Sequence, residues 1–119
     1  MAFTLIQWNI RGLQANRQEL NLLISDTNAD LICLQETFLP STTNTSFKNY
    51  SFYGVNTNNT GTTCHGGVAI LIKHCIPHKQ IPIQTGLQAV AVRATFNKTL
   101  TICSIYLSPS STYDATELT

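Results

Sequence analysis

The sequence predicts an α/β domain built on a mixed β-sheet that opens with a βαβ unit. Three observations carry that reading. Two apolar runs, Phe3 to Trp8 and Leu31 to Leu34, flank a segment with helical apolar spacing. Both runs end on polar clusters, Asn9-Ile10-Arg11-Gly12 and Gln35-Glu36-Thr37. The rest of the chain reads as strand-sized runs separated by Asn, Thr and Gly.

The first strand spans Phe3 to Trp8, and Gly12 then breaks the extended pattern. Asn16 with Glu19 three residues on has the pattern of a capping box, and Leu20, Leu23 and Ile24 supply the i, i+3, i+4 stripe of a helix. Asp26-Thr27-Asn28 stops that helix. Leu31 to Leu34 is unbroken by polar residues, as expected of a strand covered on both faces in a parallel sheet. If both runs are parallel strands, Asn9 and Glu36 emerge side by side at their carboxyl ends, where open α/β sheets place ligands.

Beyond Pro40 the polar stretch to Asn49 reads as loop, and Tyr50 to Tyr53 as a strand stopped by Gly54. A long Asn/Thr/Gly connection leads to Gly66-Gly67, which permits tight turning or close backbone approach before the strand Val68 to Ile72. Gln88 to Phe96 and Leu100 to Leu107 are two more strands, joined at Asn97-Lys98-Thr99 as a hairpin. The second half is therefore expected to be β-rich and antiparallel. Asp114 with Glu117 marks a helix start just before the chain ends, so residues 1–119 are expected to be part of a domain truncated at the C-terminus.

With 119 residues and 43% hydrophobic content, the chain suits one small domain and is too short for two. A net charge of +1 with scattered Lys and Arg argues against strong electrostatic binding of nucleic acid by this chain alone. The apolar stretches fall far short of the roughly 20 residues that span a bilayer, and the start of the chain lacks a secretory pattern, so no membrane association and an intracellular location are expected. Cys33, Cys64, Cys75 and Cys103 have no CxxC spacing and are read as free, with Cys33 and Cys103 as small hydrophobes inside strands. The adjacent pairs Cys64-His65 and His74-Cys75 lack the spacer by which one loop wraps zinc.

Most of the six acidic residues have local structural explanations: Glu19 and Glu117 at helix starts, Asp114 as a cap, Asp26 and Asp30 as flanks of secondary structure. Glu36 comes after a buried run, where a carboxylate needs a cation or hydrogen-bond donors. A salt bridge or a bond to nearby backbone would satisfy it, and so would a metal ion. With Asn9 beside it, the pair meets the minimum for magnesium, an oxygen-preferring ion that often takes one or two carboxylates plus substrate phosphate. Tyr106, at the end of its run, would alone be an amphipathic tyrosine at the edge of the core.

Four motifs in order, Gln7-Trp8-Asn9-Ile10-Arg11-Gly12-Leu13, Leu34-Gln35-Glu36-Thr37, Gly66-Gly67-Val68-Ala69-Ile70 and Ser104-Ile105-Tyr106-Leu107-Ser108-Pro109, resemble the endonuclease/exonuclease/phosphatase superfamily. The likeness is nearest to the apurinic-type endonuclease domain that precedes reverse transcriptase in non-LTR retrotransposons, and it covers only the N-terminal half of that domain. The resemblance implies the N-terminal half of a four-layered α/β sandwich of DNase I-like fold, with a Mg2+-dependent site where two sheets meet. Glu36 would be the metal ligand, with Asn9 beside it orienting substrate or a metal-bound water. Tyr106 would bond the scissile phosphate. The expected partners are a DNA substrate and the reverse transcriptase region of the same polyprotein, with nuclear action.

The family's later motifs, an Asp-x-Asn that positions the attacking water and a Ser-Asp-His, are expected beyond this chain, which should therefore be inactive alone. Loss of the second sheet would leave an apolar face exposed and the chain prone to associate. Where repair enzymes often carry an Asp two residues after the Asn, Arg11 stands here. Its planar fork suits a phosphate oxygen and assigns it to substrate binding. A phosphatase or phosphodiesterase of the same superfamily, and a binding module that kept the scaffold without the chemistry, are the alternative readings.

Overall fold

Four apolar side chains in a row are stable only where both faces of their strand are covered, and Leu31, Ile32, Cys33 and Leu34 are each no more than 4% exposed. The computed structural model, which describes residues 3–40, 45–55, 66–83 and 87–106, builds two sheets and one helix around that run. In chain order the elements are β1 (Leu5–Asn9), α1 (Arg17–Thr27), β2 (Leu31–Gln35), β3 (Tyr50–Val55), β4 (Val68–Lys73), β5 (His78–Ile81), β6 (Gln88–Thr95) and β7 (Thr99–Tyr106).

The first sheet has the order β1-β2-β4-β3 and the second β5-β6-β7. β1 runs parallel to β2, with Leu5 opposite Leu31 and Asn9 opposite Gln35, so the βαβ unit forms as expected. On its other edge β2 pairs antiparallel with β4, which makes the sheet mixed and not purely parallel. All pairings in the second half are antiparallel.

Alternation along β2 divides the core in two. Ile32 and Leu34 point toward α1 and join Ile10, Leu13, Leu20 and Leu71. Leu31 and Cys33 point the other way, with Val68, Ile70 and Ile72, onto Val90, Val92 and Ala94 of the second sheet. The described residues thus stack as helix, sheet, sheet. Burying each large aliphatic contributes about 1.5–3 kcal/mol. The partly exposed Lys73–Asp30 ion pair at 3.5 Å contributes at most about 1 kcal/mol, so apolar burial dominates.

Several elements differ from the sequence reading. Asn16 starts α1, but its side chain accepts no bond from the helix, so there is no capping box. The helix ends as expected, with Asn28 in the left-handed region and its N–H donating to the Ile24 carbonyl at 2.8 Å. Gly54 does not stop β3, which runs on to Val55. β5 has no signal in the sequence: His78-Lys79-Gln80-Ile81 is polar and lies between Pro77 and Pro82. It forms as an edge strand, where polar residues are tolerated because one side faces water.

The second sheet is present, not lost, and it covers the β2–β4 face that the sequence reading leaves open. Cys103 is exposed on β7, because the inward positions of that strand are taken by Ile102 and Ser104. The helix start at Asp114 and Glu117, Leu107, Cys64 and His65 lie outside the described residues.

Burial holds Cys33 in its neutral form. Its thiol is pushed up from 9.0 to about 11, by loss of hydration first and by nearby Cys103 second. A raised folded-state value means that this contribution to stability is complete below about pH 9 and is lost as pH rises through about 11. In thiol labelling of the native chain, exposed Cys75 should react rapidly and Cys33 only once denaturant is added; equal rates at the two would contradict this packing.

Candidate active site

Parallel pairing delivers the two polar clusters to one place. Asn9 is the last residue of β1 and lies opposite Gln35, so Glu36 is the first residue beyond the paired neighbour. The ladder does not end there. Ile10 N–H donates to Gln35 O at 3.0 Å, Gly12 N–H to Glu36 O at 2.8 Å and Leu13 N–H to Thr37 O at 2.9 Å. From the opposite side, Thr37 N–H donates to Gly67 O at 3.3 Å and Phe38 N–H to Gly66 O at 3.0 Å. The segment around Glu36 is therefore held on both sides by backbone.

This geometry requires unusual dihedrals. Arg11 (φ 50), Glu36 (φ 55) and Phe38 (φ 54) are left-handed, as are Gly12, Gly66 and Gly67. A non-glycine residue there costs on the order of 1–2 kcal/mol, a strain that the flanking hydrogen bonds offset. Close approach explains Gly67: a Cβ at that position would collide with the Thr37 hydroxyl. The sequence expectation of close backbone approach at Gly66-Gly67 holds.

Asn16 braces the first loop from the helix side. Its Nδ2 donates to Ile10 O at 2.8 Å and to Gly12 O at 3.1 Å. The side chain read as a helix cap is thus spent on the Asn9–Gly12 loop. Its only sequence signal is a carboxamide a few residues after Gly12, which fits either use.

The second sheet reaches the same end of the molecule. Ser104 of β7 is buried and donates to Leu34 O at 3.2 Å, while Gln35 Nε2 donates to Ser104 Oγ at 2.9 Å. Gln7 Nε2 donates in turn to Gln35 Oε1, so one polar chain crosses β1, β2 and β7. Gln88 Oε1 accepts from Gly67 N–H at 2.6 Å, and Gln88 lies opposite Tyr106 in the β6–β7 ladder. Tyr106 is half-buried against the intersheet core. The sequence reading quotes Gln7, Gln35 and Ser104 within motifs but assigns no role to them or to Gln88, because each acts through a partner distant along the chain.

Asn9, Arg11 and Glu36 come together on adjacent strand ends, and Tyr106 ends a strand of the facing sheet at the same end. Glu36 is half-buried, Asn9 and Arg11 exposed. Among the described residues none hydrogen-bonds or pairs with the Glu36 carboxylate, so neither a salt bridge nor a backbone bond accounts for it there. The other described acids are elsewhere. Asp30, at the opposite end of β2, accepts from Thr4 N–H at 2.9 Å and pairs with Lys73; Asp26 lies in the last turn of α1 and Glu19 on its exposed side.

The described histidines, His74 and His78, are not part of this cluster. His74 follows the far end of β4, and the His78 ring is bonded to Tyr53 Oη at 2.9 Å and Ile76 O at 2.7 Å. An Asp-x-Asn triplet does occur, Asp26-Thr27-Asn28, contrary to the expectation that none lies in this chain. It closes α1 at the end of the sheet away from Glu36, so it is a helix terminus and not the family motif.

A mixed sheet with a βαβ start, packed on a second sheet, is the architecture of DNase I-like endonucleases, and residues 6–117 match the model of the Endonuclease/Exonuclease/phosphatase family. The chain belongs to that family. Among solved structures it is similar to the endonuclease domain of TRAS1, a telomere-specific non-LTR retrotransposon, with a TM-score of 0.71 and 19% identity over 92% of this chain and 48% of that one. The AP endonuclease LMAP from Leishmania major gives a TM-score of 0.67 and 18% identity, over 92% of this chain and 41% of that one. In sequence it is 28% identical over 106 residues to the RNA-directed DNA polymerase from mobile element jockey of Drosophila melanogaster, a match of 87% of this chain and 11% of that protein. The chain thus spans less than half of the solved relatives it matches.

Replacing Asn16 with Ala removes the side-chain donor shared by the Ile10, Arg11 and Gly12 carbonyls and should destabilise the fold by about 1–2 kcal/mol. Amide exchange at Ile10 and Gly12 should quicken in the same variant. Unchanged exchange there, measured by NMR, would show that Asn16 does not brace the loop.

Proposed function

We propose that this chain supplies half of the active site of a Mg2+-dependent DNA endonuclease belonging to a retroelement polyprotein with reverse transcriptase. The observation that carries the reading is the placement of Asn9 and Glu36 on adjacent strand ends, Asn9 opposite Gln35 and Glu36 the next residue, with the Glu36 carboxylate bonded to no described residue. The jockey relative supports the retroelement context, and the fold shared with endonucleases supports phosphodiester chemistry. Nuclear action follows from a chromosomal DNA substrate and is part of the proposal.

The donor set fits the ion. Magnesium takes hard oxygen ligands and is reluctant to lose all its waters, and this strand end offers one carboxylate, Glu36, and one carboxamide oxygen, Asn9, with no competing thiol or imidazole among the described residues. Glu36 and Asn9 would hold the ion, which when bound supplies charge to the phosphoryl oxygens and lowers the pKa of a coordinated water. The chain's own residues do the positioning. Arg11 presents five N–H donors in a rigid fork and would orient a phosphate of the DNA backbone. Tyr106 would donate its hydroxyl proton in a hydrogen bond to the scissile phosphate as charge develops on it. With one carboxylate and no general base in this set, the chain alone is expected to bind the ion and to leave DNA intact.

Titration of the chain with Mg2+ by calorimetry should show one site, and Glu36→Gln should weaken it at least tenfold. Losing a charge from a partly buried position costs well over the ~1.4 kcal/mol that a factor of ten requires. Equal affinity in the variant would overturn the metal assignment. Supercoiled DNA incubated with the chain and Mg2+ should remain unnicked; nicking abolished by Asn9→Ala would contradict the half-site reading.

A further inference from the structure

Gly66 and Gly67 are enclosed from two directions. A Cβ on Gly66 would lie 2.6 Å from Gln88 Oε1, 3.1 Å from Nε2 and 3.2 Å from Cδ, so the Gln88 carboxamide rests flat on that glycine. The space a side chain on Gly67 would need is taken by Thr37 Oγ1, an atom buried without a hydrogen-bond partner among the described residues. The glycine pair is therefore a thin backbone layer between Gln88 of the second sheet and Thr37 of the Glu36 segment.

Hydrogen bonds cross the layer in the same direction. Gln88 Oε1 accepts from Gly67 N–H, Gly67 O accepts from Thr37 N–H, and Gly66 O accepts from Phe38 N–H. Thr37 is next in sequence to Glu36, whose own carbonyl is held by Gly12. At its other end Gln88 is the β-ladder partner of Tyr106. One side chain thus joins the strand pair that carries Tyr106 to the segment that carries Glu36.

We infer that Gln88 is a positioning residue: it fixes the Glu36 segment against the Tyr106 strand through the Gly66-Gly67 backbone, and so sets the cation affinity of the Asn9–Glu36 pair. Gln88 itself contacts neither the cation nor the phosphate. The inference rests on the proposed metal site, and it adds a residue that no local motif marks. The carboxamide oxygen is the working atom, because Gly67 requires an acceptor.

Gln88→Leu removes that acceptor at similar size, Gln88→Met does so with a more adaptable side chain should the first fail to fold, and Gln88→Glu keeps it. Two readouts on the full chain separate the outcomes: amide hydrogen exchange at Thr37 and Phe38 without metal, and Mg2+ affinity by calorimetry. In Gln88→Leu or Gln88→Met, exchange at both amides should rise and Mg2+ affinity fall, each about tenfold, while Gln88→Glu keeps exchange no faster and affinity no weaker than wild type. Unchanged exchange would overturn the inference, and so would faster exchange with unchanged affinity, since Gln88 would then stabilise the fold without tuning the site. A wild-type chain that binds no Mg2+ would overturn the site itself and this role with it, an outcome visible before any variant is made.

Discussion

The fold and the site depend on the hydrogen-bonded register that joins β1, β2 and β4 and continues past the strand ends into the loops. In most sheets the ladder stops where the loops begin, and the loops are free to vary. Here Gly12 and Leu13 donate to the carbonyls of Glu36 and Thr37, and Thr37 and Phe38 donate to those of Gly67 and Gly66. Three chain segments separated widely in sequence are joined side by side by backbone hydrogen bonds. The left-handed conformations of Arg11, Glu36 and Phe38 are tolerated because this lattice leaves them no alternative. Six of the eight described residues with positive φ, Arg11, Gly12, Glu36, Phe38, Gly66 and Gly67, lie at this one end, which is where stored strain concentrates when geometry serves chemistry.

That register is legible in the sequence because its causes are local. A four-residue apolar run predicts a strand buried on both faces, an amphipathic turn predicts the crossover, and together they place Asn9 beside Glu36 without further information. Gly66-Gly67 likewise points to a close approach. The less legible parts have non-local causes. β5 is held by pairing with β6 and not by its own polar composition. Asn16 faces two possible uses, and only the position of the preceding loop decides between them. Gln35–Ser104 and Gln88–Gly67 join residues 69 and 21 positions apart, and such bonds leave no periodic trace. Gly54 misleads as a strand stop because a strand interior tolerates glycine when both neighbours pair, as Tyr53 and Val55 do with Ile70 and Val68.

Apolar burial on the two faces of β2 supplies the stability, and the polar network at the strand ends supplies the specificity of shape. These are different tasks. The intersheet core would hold with many side chains, whereas the Gln7–Gln35–Ser104 chain and the Gln88–Gly67 bond fix how the two sheets meet at the end where Asn9, Glu36 and Tyr106 stand. Family membership accounts for the scaffold, and the chain spans less than half of the solved endonucleases it matches; the proposal takes these residues as part of a larger domain. In the proposed reading, the positions on this chain arrange the cation and the phosphate, and the remaining chemistry belongs to other parts of that domain.

The central claim, that the backbone lattice presents Asn9 and Glu36 as a cation site, is tested most directly by paramagnetic broadening of amide resonances with substoichiometric Mn2+. The account predicts that signals of Asn9 to Gly12, Gln35 to Thr37 and Gly66-Gly67 broaden first and together, and that excess Mg2+ restores them. Broadening centred on Asp30 and Asp26 at the opposite end of the sheet, or none below millimolar Mn2+, would contradict it.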